Sequence, residues 1–152
     1  MPEVFACVFI ALYVGHHVGD HWIQTGWQAA YKAYRSWSGR RACAMHVITL
    51  SLTKALFLRM VDVVVGLHLS WKWVALAFAV DAVSHYWADR RIPLKRLAKA
   101  VGRIDYWEKC TVVRKEKKEA AEIGPGTGSF HLDQSWHFFW IMVTSLIITA
   151  TL

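Results

Sequence analysis

Four stretches of the chain carry imidazole, carboxylate and amide groups at spacings that matter: His16, Asp20 and Gln24; His46; His85 and Asp89; Asp133, Gln134 and His137. Residues four apart share a helix face, so His16, Asp20 and Gln24 form one polar stripe, Asp81, His85 and Asp89 a second, and Asp133 and His137 a third. Imidazole with carboxylate is a donor set suited to zinc, iron or manganese, and two donors at i and i+4 can approach one ion from one helix. The same groups could instead build a proton relay or a buried hydrogen-bonded network. Haem ligation by two of the histidines would leave the carboxylates without a role.

The segments holding these groups are apolar. The chain has 152 residues, of which 55% are hydrophobic, 14% aromatic and only 19% charged. That composition excludes a disordered or collagen-like chain. Three cysteines (Cys7, Cys43 and Cys110) without a CxxC spacing exclude a disulfide-stapled miniprotein and a cysteine-rich zinc module, and predict free thiols. Apolar runs of roughly the ~20 residues a spanning helix requires predict four transmembrane helices at about 3–24, 42–66, 71–89 and 130–152. The expected fold is therefore all-α: a single polytopic membrane domain, 1–152, with its helices in an antiparallel bundle. The only charge before the first run is Glu3 and no small-residue cleavage site follows it, so the segment reads as a retained helix and not a signal peptide. No small-xxx-small stripe stands out as a dimer interface, although a homodimer is plausible for so small a bundle.

Orientation follows from the basic residues. Of eighteen Lys and Arg, all but Lys54, Arg59 and Lys72 fall in two loops on one side, around 25–41 and 90–129. The positive-inside rule then places both termini outside and both basic loops in the cytoplasm, in an inner-membrane, multi-pass arrangement. A soluble nucleic-acid binder would account for the net charge of +7 but not for four apolar runs. In this threading every polar stripe lies at the cytoplasmic end of its helix, within about three turns of ~5.4 Å of one surface. Within the basic loop, Leu94, Leu97, Ala98, Val101 and Ile104 predict an amphipathic helix over 94–104, lying on anionic headgroups or simply solvated. Lys54 is expected to pair with Asp81, and Arg59 with Asp62, which makes Asp81 a structural counter-ion.

At these residues the sequence resembles a known group. GHHVGDHWIQT at 15–25 looks like a His-x-x-x-Asp-x-x-x-Gln motif on His16, Asp20 and Gln24, followed by a single His at His46. SHYWAD at 84–89 repeats His-x-x-x-Asp on His85 and Asp89, and DQSWH at 133–137 gives Asp-Gln-x-x-His. The group is the small bacterial and phage membrane proteins catalogued as domain of unknown function 3307, and the likeness covers nearly the whole chain apart from the 92–129 loop. His17, His21 and Asp81 lie outside the pattern. The resemblance implies a membrane fold and brings no established reaction. The halves of the chain also look alike, each offering a His-x-x-x-Asp helix and then a His-bearing one.

Three functions compete. In the first, one or two divalent ions, zinc before manganese or iron, are held by His16, Asp20, His46, His85, Asp89, Asp133 and His137. Asp20, His85 and Asp89 are then the catalytic groups, and Gln24 and Gln134 orient ligands or substrate from behind. The reaction would be hydrolysis of a phosphoester or ester of a lipid-like substrate at the cytoplasmic leaflet. In the second, the groups pass protons or metal ions across the membrane. In the third, they are interhelical hydrogen bonds of a non-catalytic scaffold in contact with membrane lipids.

Overall fold

A computed structural model describes residues 2–109 and 127–150. Helix α1 (Pro2–Val18) runs without a break into a five-residue π turn, Gly19–Ile23. Then come α2 (Gly26–Tyr31), α3 (Trp37–Val65), α4 (Trp71–Asp89), α5 (Ile92–Ala100), α6 (Ile104–Lys109) and α7 (Gly128–Thr149). No strand occurs among the described residues. The charged run 114–122 and the first half of the glycine-rich link at 124–129 lie outside them, as does Cys110; Cys7 and Cys43 are free thiols.

The helix ends have local causes. Ser36 caps α3, its Oγ accepting from the Gly39 N–H at 3.1 Å, so the helix begins five residues before the expected boundary. Gly66, left-handed at φ +70°, closes α3 and turns the chain into the α3–α4 hairpin. Thr25 and Gln28 form a reciprocal capping box on α2. Thr127 caps α7 through the Phe130 N–H at 3.2 Å.

The four long helices form a ring in which α1 packs on α3, α3 on α4, α4 on α7, and α7 on α1. Gly19 meets Leu50 and Gly15 meets Lys54, so α1 and α3 are antiparallel. Cys43 reaches the Tyr86 carbonyl while Lys54 reaches Asp81, so α3 and α4 are antiparallel too. A small-residue stripe lies inside the chain: Ala11, Gly15 and Gly19 follow one another at i+4, and a Cβ on Gly15 would stand 2.9 Å from the Lys54 Cα. The stripe serves contact within the chain, bringing α1 close to α3. An apolar core of Val8, Leu12, Leu58, Val74, Ile141 and Ile148 fills the half of the bundle away from the polar stripes.

Among the described residues one helix, the continuous 22-residue Pro2–Ile23, is both long and apolar enough to cross a membrane by its own composition. The expectation of four such helices is not met by that measure. Polar residues interrupt the other three, among them Lys54, Arg59 and Asp62 in α3, Asp81 and Asp89 in α4, and Asp133 in α7. The predicted 94–104 helix is observed as Ile92–Ala100, and it does not lie free: Leu94 and Ala98 are buried with Ala88 and Trp107, against Leu132 and Trp136.

Gly39 is where the loop before α3 touches the helix. A Cβ there would lie 2.1 Å from the Tyr34 carbonyl oxygen and 2.9 Å from that of Tyr31, both backbone atoms that cannot swing aside. Gly39→Ala is expected to destabilise the protein by about 1–3 kcal/mol from overpacking, more than cancelling the ~1 kcal/mol gained in helix propensity. Thermal unfolding in detergent measures it; an unchanged midpoint would mean that the 31–36 loop yields freely.

Candidate metal centre

Each long helix brings its polar residues to one end of the bundle: the end of α1 and its π turn, the start of α3, the end of α4, and the first half of α7. His16, His46, His85, Asp89 and His137 are buried there, and Asp20 is nearly so. His46 is central. Its Nε2 lies 3.1 Å from Asp20 Oδ1, 3.3 Å from Asp89 Oδ2 and 3.3 Å from His85 Nε2. His85 Nε2 is in turn 3.3 Å from Asp89 Oδ2, and His137 Nε2 is 3.9 Å from Asp89 Oδ1.

These approaches are close but mostly unfit for hydrogen bonding. Asp20 Oδ1, Asp89 Oδ2, His137 Nε2 and both ring nitrogens of His16 are buried with no hydrogen-bond partner. A neutral imidazole has one N–H, so facing nitrogens such as His46 Nε2 and His85 Nε2 cannot both donate. Buried acceptors aimed at one another are costly unless a cation lies between them. The spacing fits one: two donors about 2.0–2.1 Å from a tetrahedral ion lie about 3.3 Å apart. Two overlapping triads, Asp20, His46 and His85, and His85, Asp89 and His137, each bring one donor atom per residue within 4.8 Å of one another, and could hold a metal ion.

The remaining expected residues sit around these triads. His16 Nε2 is 3.4 Å from Asp20 Oδ2, and its ring lies 5.5 Å from that of His85 and 5.3 Å from that of His137. Asp133 Oδ2 is 3.5 Å from His137 Nε2, with 22% of its side chain exposed. Both belong to neither triad and abut a member of one. The two halves of the chain match here, since His16 and Asp20 approach within 3.4 Å, and His85 and Asp89 within 3.3 Å. Gln24 leaves the expected stripe. The π turn adds a residue to the last turn of α1, Gln24 becomes extended, and its N–H donates to the Gly19 carbonyl at 2.9 Å. Asp20, Gln24, Lys32, Arg91, Asp133 and Gln134 instead line a cavity of about 290 Å³ that opens beside the centre.

His17 and His21 belong to neither triad; His21 lines the cavity, with its Nδ1 2.9 Å from the His17 carbonyl, and the His17 ring packs edge-on against Tyr13. Asp81, one turn before His85, is engaged by the buried Lys54, as expected of a counter-ion. Arg59 and Asp62 likewise pair at 2.8 Å.

One residue of the site escaped sequence reasoning. Lys32, which reads as ordinary basic-loop charge, is buried, with its Nζ 2.8 Å from Asp89 Oδ1. Burial opposes its charge, but Asp89, Asp20 and Asp133 outweigh that and raise the ammonium pKa above its usual value. The Arg90 guanidinium donates to the Lys32 carbonyl at 2.6 Å and to the Tyr34 carbonyl, tying the turn after α2 to the end of α4. No protein family, curated protein or solved structure matches the chain.

Proposed function

We propose that this chain is an integral-membrane metalloprotein whose bundle-end centre hydrolyses a phosphoester or ester of a lipid-like substrate drawn from the cytoplasmic leaflet. The observation that carries the reading is the buried His and Asp cluster with unpartnered donor atoms, set beside a cavity walled by two cations, Lys32 and Arg91. A divalent ion bound there, zinc first among the candidates, supplies a Lewis acid for a phosphoryl or carbonyl oxygen and lowers the pKa of an attacking water. His46, His85 and Asp89 hold their donor atoms in the dry interior. Asp20 both faces His46 and lines the cavity, so it can take a proton from water on the substrate side. Lys32 and Arg91 attract an anionic headgroup, while Gln24 and Gln134 offer amides to orient it.

The membrane reading is supported by an inverted distribution of polarity. Lys54, Asp81, His16, His46, His85 and His137 are inside, whereas Ile10, Leu52, Leu56, Val64, Val83 and Leu146 face outward, Val64 at 84% and Leu52 at 65% exposure. All four long helices contribute to that apolar exterior, a surface suited to lipid and unusual for water. Lys54 and Asp81 lower the apolarity of their helices, although these two neutralise each other in the core. With four spans, the basic loops flank the metal end, which is cytoplasmic by the positive-inside rule. The likeness to the domain of unknown function 3307 membrane proteins belongs to this same reading.

The full chain purified in detergent is expected to carry stoichiometric zinc or another divalent ion by elemental analysis, and to release phosphate from a polyprenyl phosphate or phosphatidic acid in mixed micelles. Asp20→Asn and His85→Ala should abolish that release. A folded preparation without metal, refractory to zinc loading, would overturn the reading. The transport alternative is weaker because the far half of the bundle is packed mainly by apolar side chains, and its buried polar groups are engaged locally: Asp62 by Arg59, Ser145 and Thr149 by carbonyls of their own helix.

A further inference from the structure

Asp89 offers its two oxygens to two different groups of partners. Oδ2 faces the Nε2 atoms of His46 and His85, at 3.3 Å from each. Oδ1 faces His137 Nε2 at 3.9 Å and bears the Lys32 ammonium at 2.8 Å. A carboxylate used in this way, one oxygen to each side, is the usual bridge of a site with two ions about 3.5–4 Å apart. His137 and Asp133, 3.5 Å from each other, supply further donors on the Oδ1 side. Yet the two triads share His85, whose one Nε2 cannot serve two ions at once.

Resting on the metal reading above, we infer that Lys32 is a built-in substitute for a second metal ion: the centre has a two-ion plan, takes one divalent ion, and uses the Lys32 ammonium as its other cation. The charges agree. Lys32 bears on Asp89 and shares the cavity lining with Asp20, Asp133 and Arg91, so two cations already meet three carboxylates; one divalent ion offsets the remaining negative charge, and a second would leave a large positive excess. The lysine is also held in place. Its N–H donates to the Gln28 carbonyl at 3.0 Å at the end of capped α2, and Arg90 grips its carbonyl from α4. An ammonium fixed in this way cannot be lost to a chelator, and it lines the substrate cavity. The ligand it suits is a phosphoryl group bridging the bound ion and Lys32, the role two metals share in two-ion phosphatases. Unlike a metal, Lys32 contributes only hydrogen bonds and charge.

Metal stoichiometry of the full chain, loaded with excess zinc and freed of unbound ion, tests this. Wild type is expected to hold one zinc. Lys32→Met, which keeps the stem and removes the charge, is expected to hold two, the second on Asp89 Oδ1, His137 and Asp133; Lys32→Arg should remain at one. Two zinc ions in wild type would overturn the inference even if Lys32→Met fails to fold. So would a folded Lys32→Met that stays at one. In both cases the metal reading stands, whereas a folded wild type holding no zinc overturns the two together.

Discussion

Asp89→Asn is expected to empty the metal centre and to lower the melting temperature by roughly 10 °C, the largest effect of any single substitution at the site. Asp89 touches more of the centre than any other side chain, lying against His46, His85, His137 and Lys32. An amide turns an acceptor toward the ligands into a donor and discards the charge that both an ion and Lys32 require. Losing an outer partner of a metal ligand typically costs about 10–100-fold in affinity, and losing a ligand at the heart of the site should exceed that. Stability falls for a separate reason: the Lys32 ammonium is left buried without its partner, a change that costs about 3–5 kcal/mol, or ~2–4 °C for each kcal/mol in a chain of this size. The two losses can be separated. Asp89→Asn combined with Lys32→Met should recover most of the thermal stability and none of the zinc, as read by thermal unfolding and elemental analysis of the same preparations. A single Asp89→Asn variant that retains stoichiometric zinc would remove Asp89 from the centre.

The residues that escaped prediction did so for identifiable reasons. His-x-x-x-Asp at 16–20 and 85–89 is legible because four residues make about one helical turn, and the common level of the four groups follows from the side on which the basic loops fall. The α4 boundaries, Trp71–Asp89, are where the apolar run and the short preceding link put them. Lys32 was illegible because one lysine among the charges of a basic loop carries no mark of burial. Its fate depends on Arg90, 58 residues away, pulling the α2 turn against α4. Gln24 was misplaced because stripe arithmetic assumes 3.6 residues per turn, and the π turn inserts one more. The apolar face of 94–104 was legible as a face, but its partner was not. Trp107 and Trp136 cover it, and sequence spacing does not reveal tertiary neighbours. Gly15 and Gly19 sit among histidines, and their spacing from Ala11 gives a small-residue stripe whose partner, α3, sequence spacing does not reveal.

Lys54 and Asp81 make the second large prediction, and they separate a counter-ion from a ligand. Lys54 is among the largest fully buried side chains, engaging Asp81 from α3 across to α4 with the Phe78 ring 5.9 Å from its Nζ. Removing either partner strands the other charge in the interior, so Lys54→Met and Asp81→Leu are each expected to cost about 3–5 kcal/mol. Replacing both should cost little, or stabilise by about 1–4 kcal/mol, because an apolar pair escapes the desolvation penalty that the ion pair bears. In a bilayer the double variant also raises the hydropathy of α3 and α4, so its insertion should improve. Asp81 stands one turn from His85 on the same stripe, and by spacing alone it qualifies as a donor to the metal. Its engagement by Lys54 implies otherwise, and the double variant decides: zinc stoichiometry should equal that of wild type while stability is preserved. Loss of zinc from a well-folded double variant would make Asp81 part of the centre, and the ion pair would then be a device that tunes the metal and not one that neutralises the core.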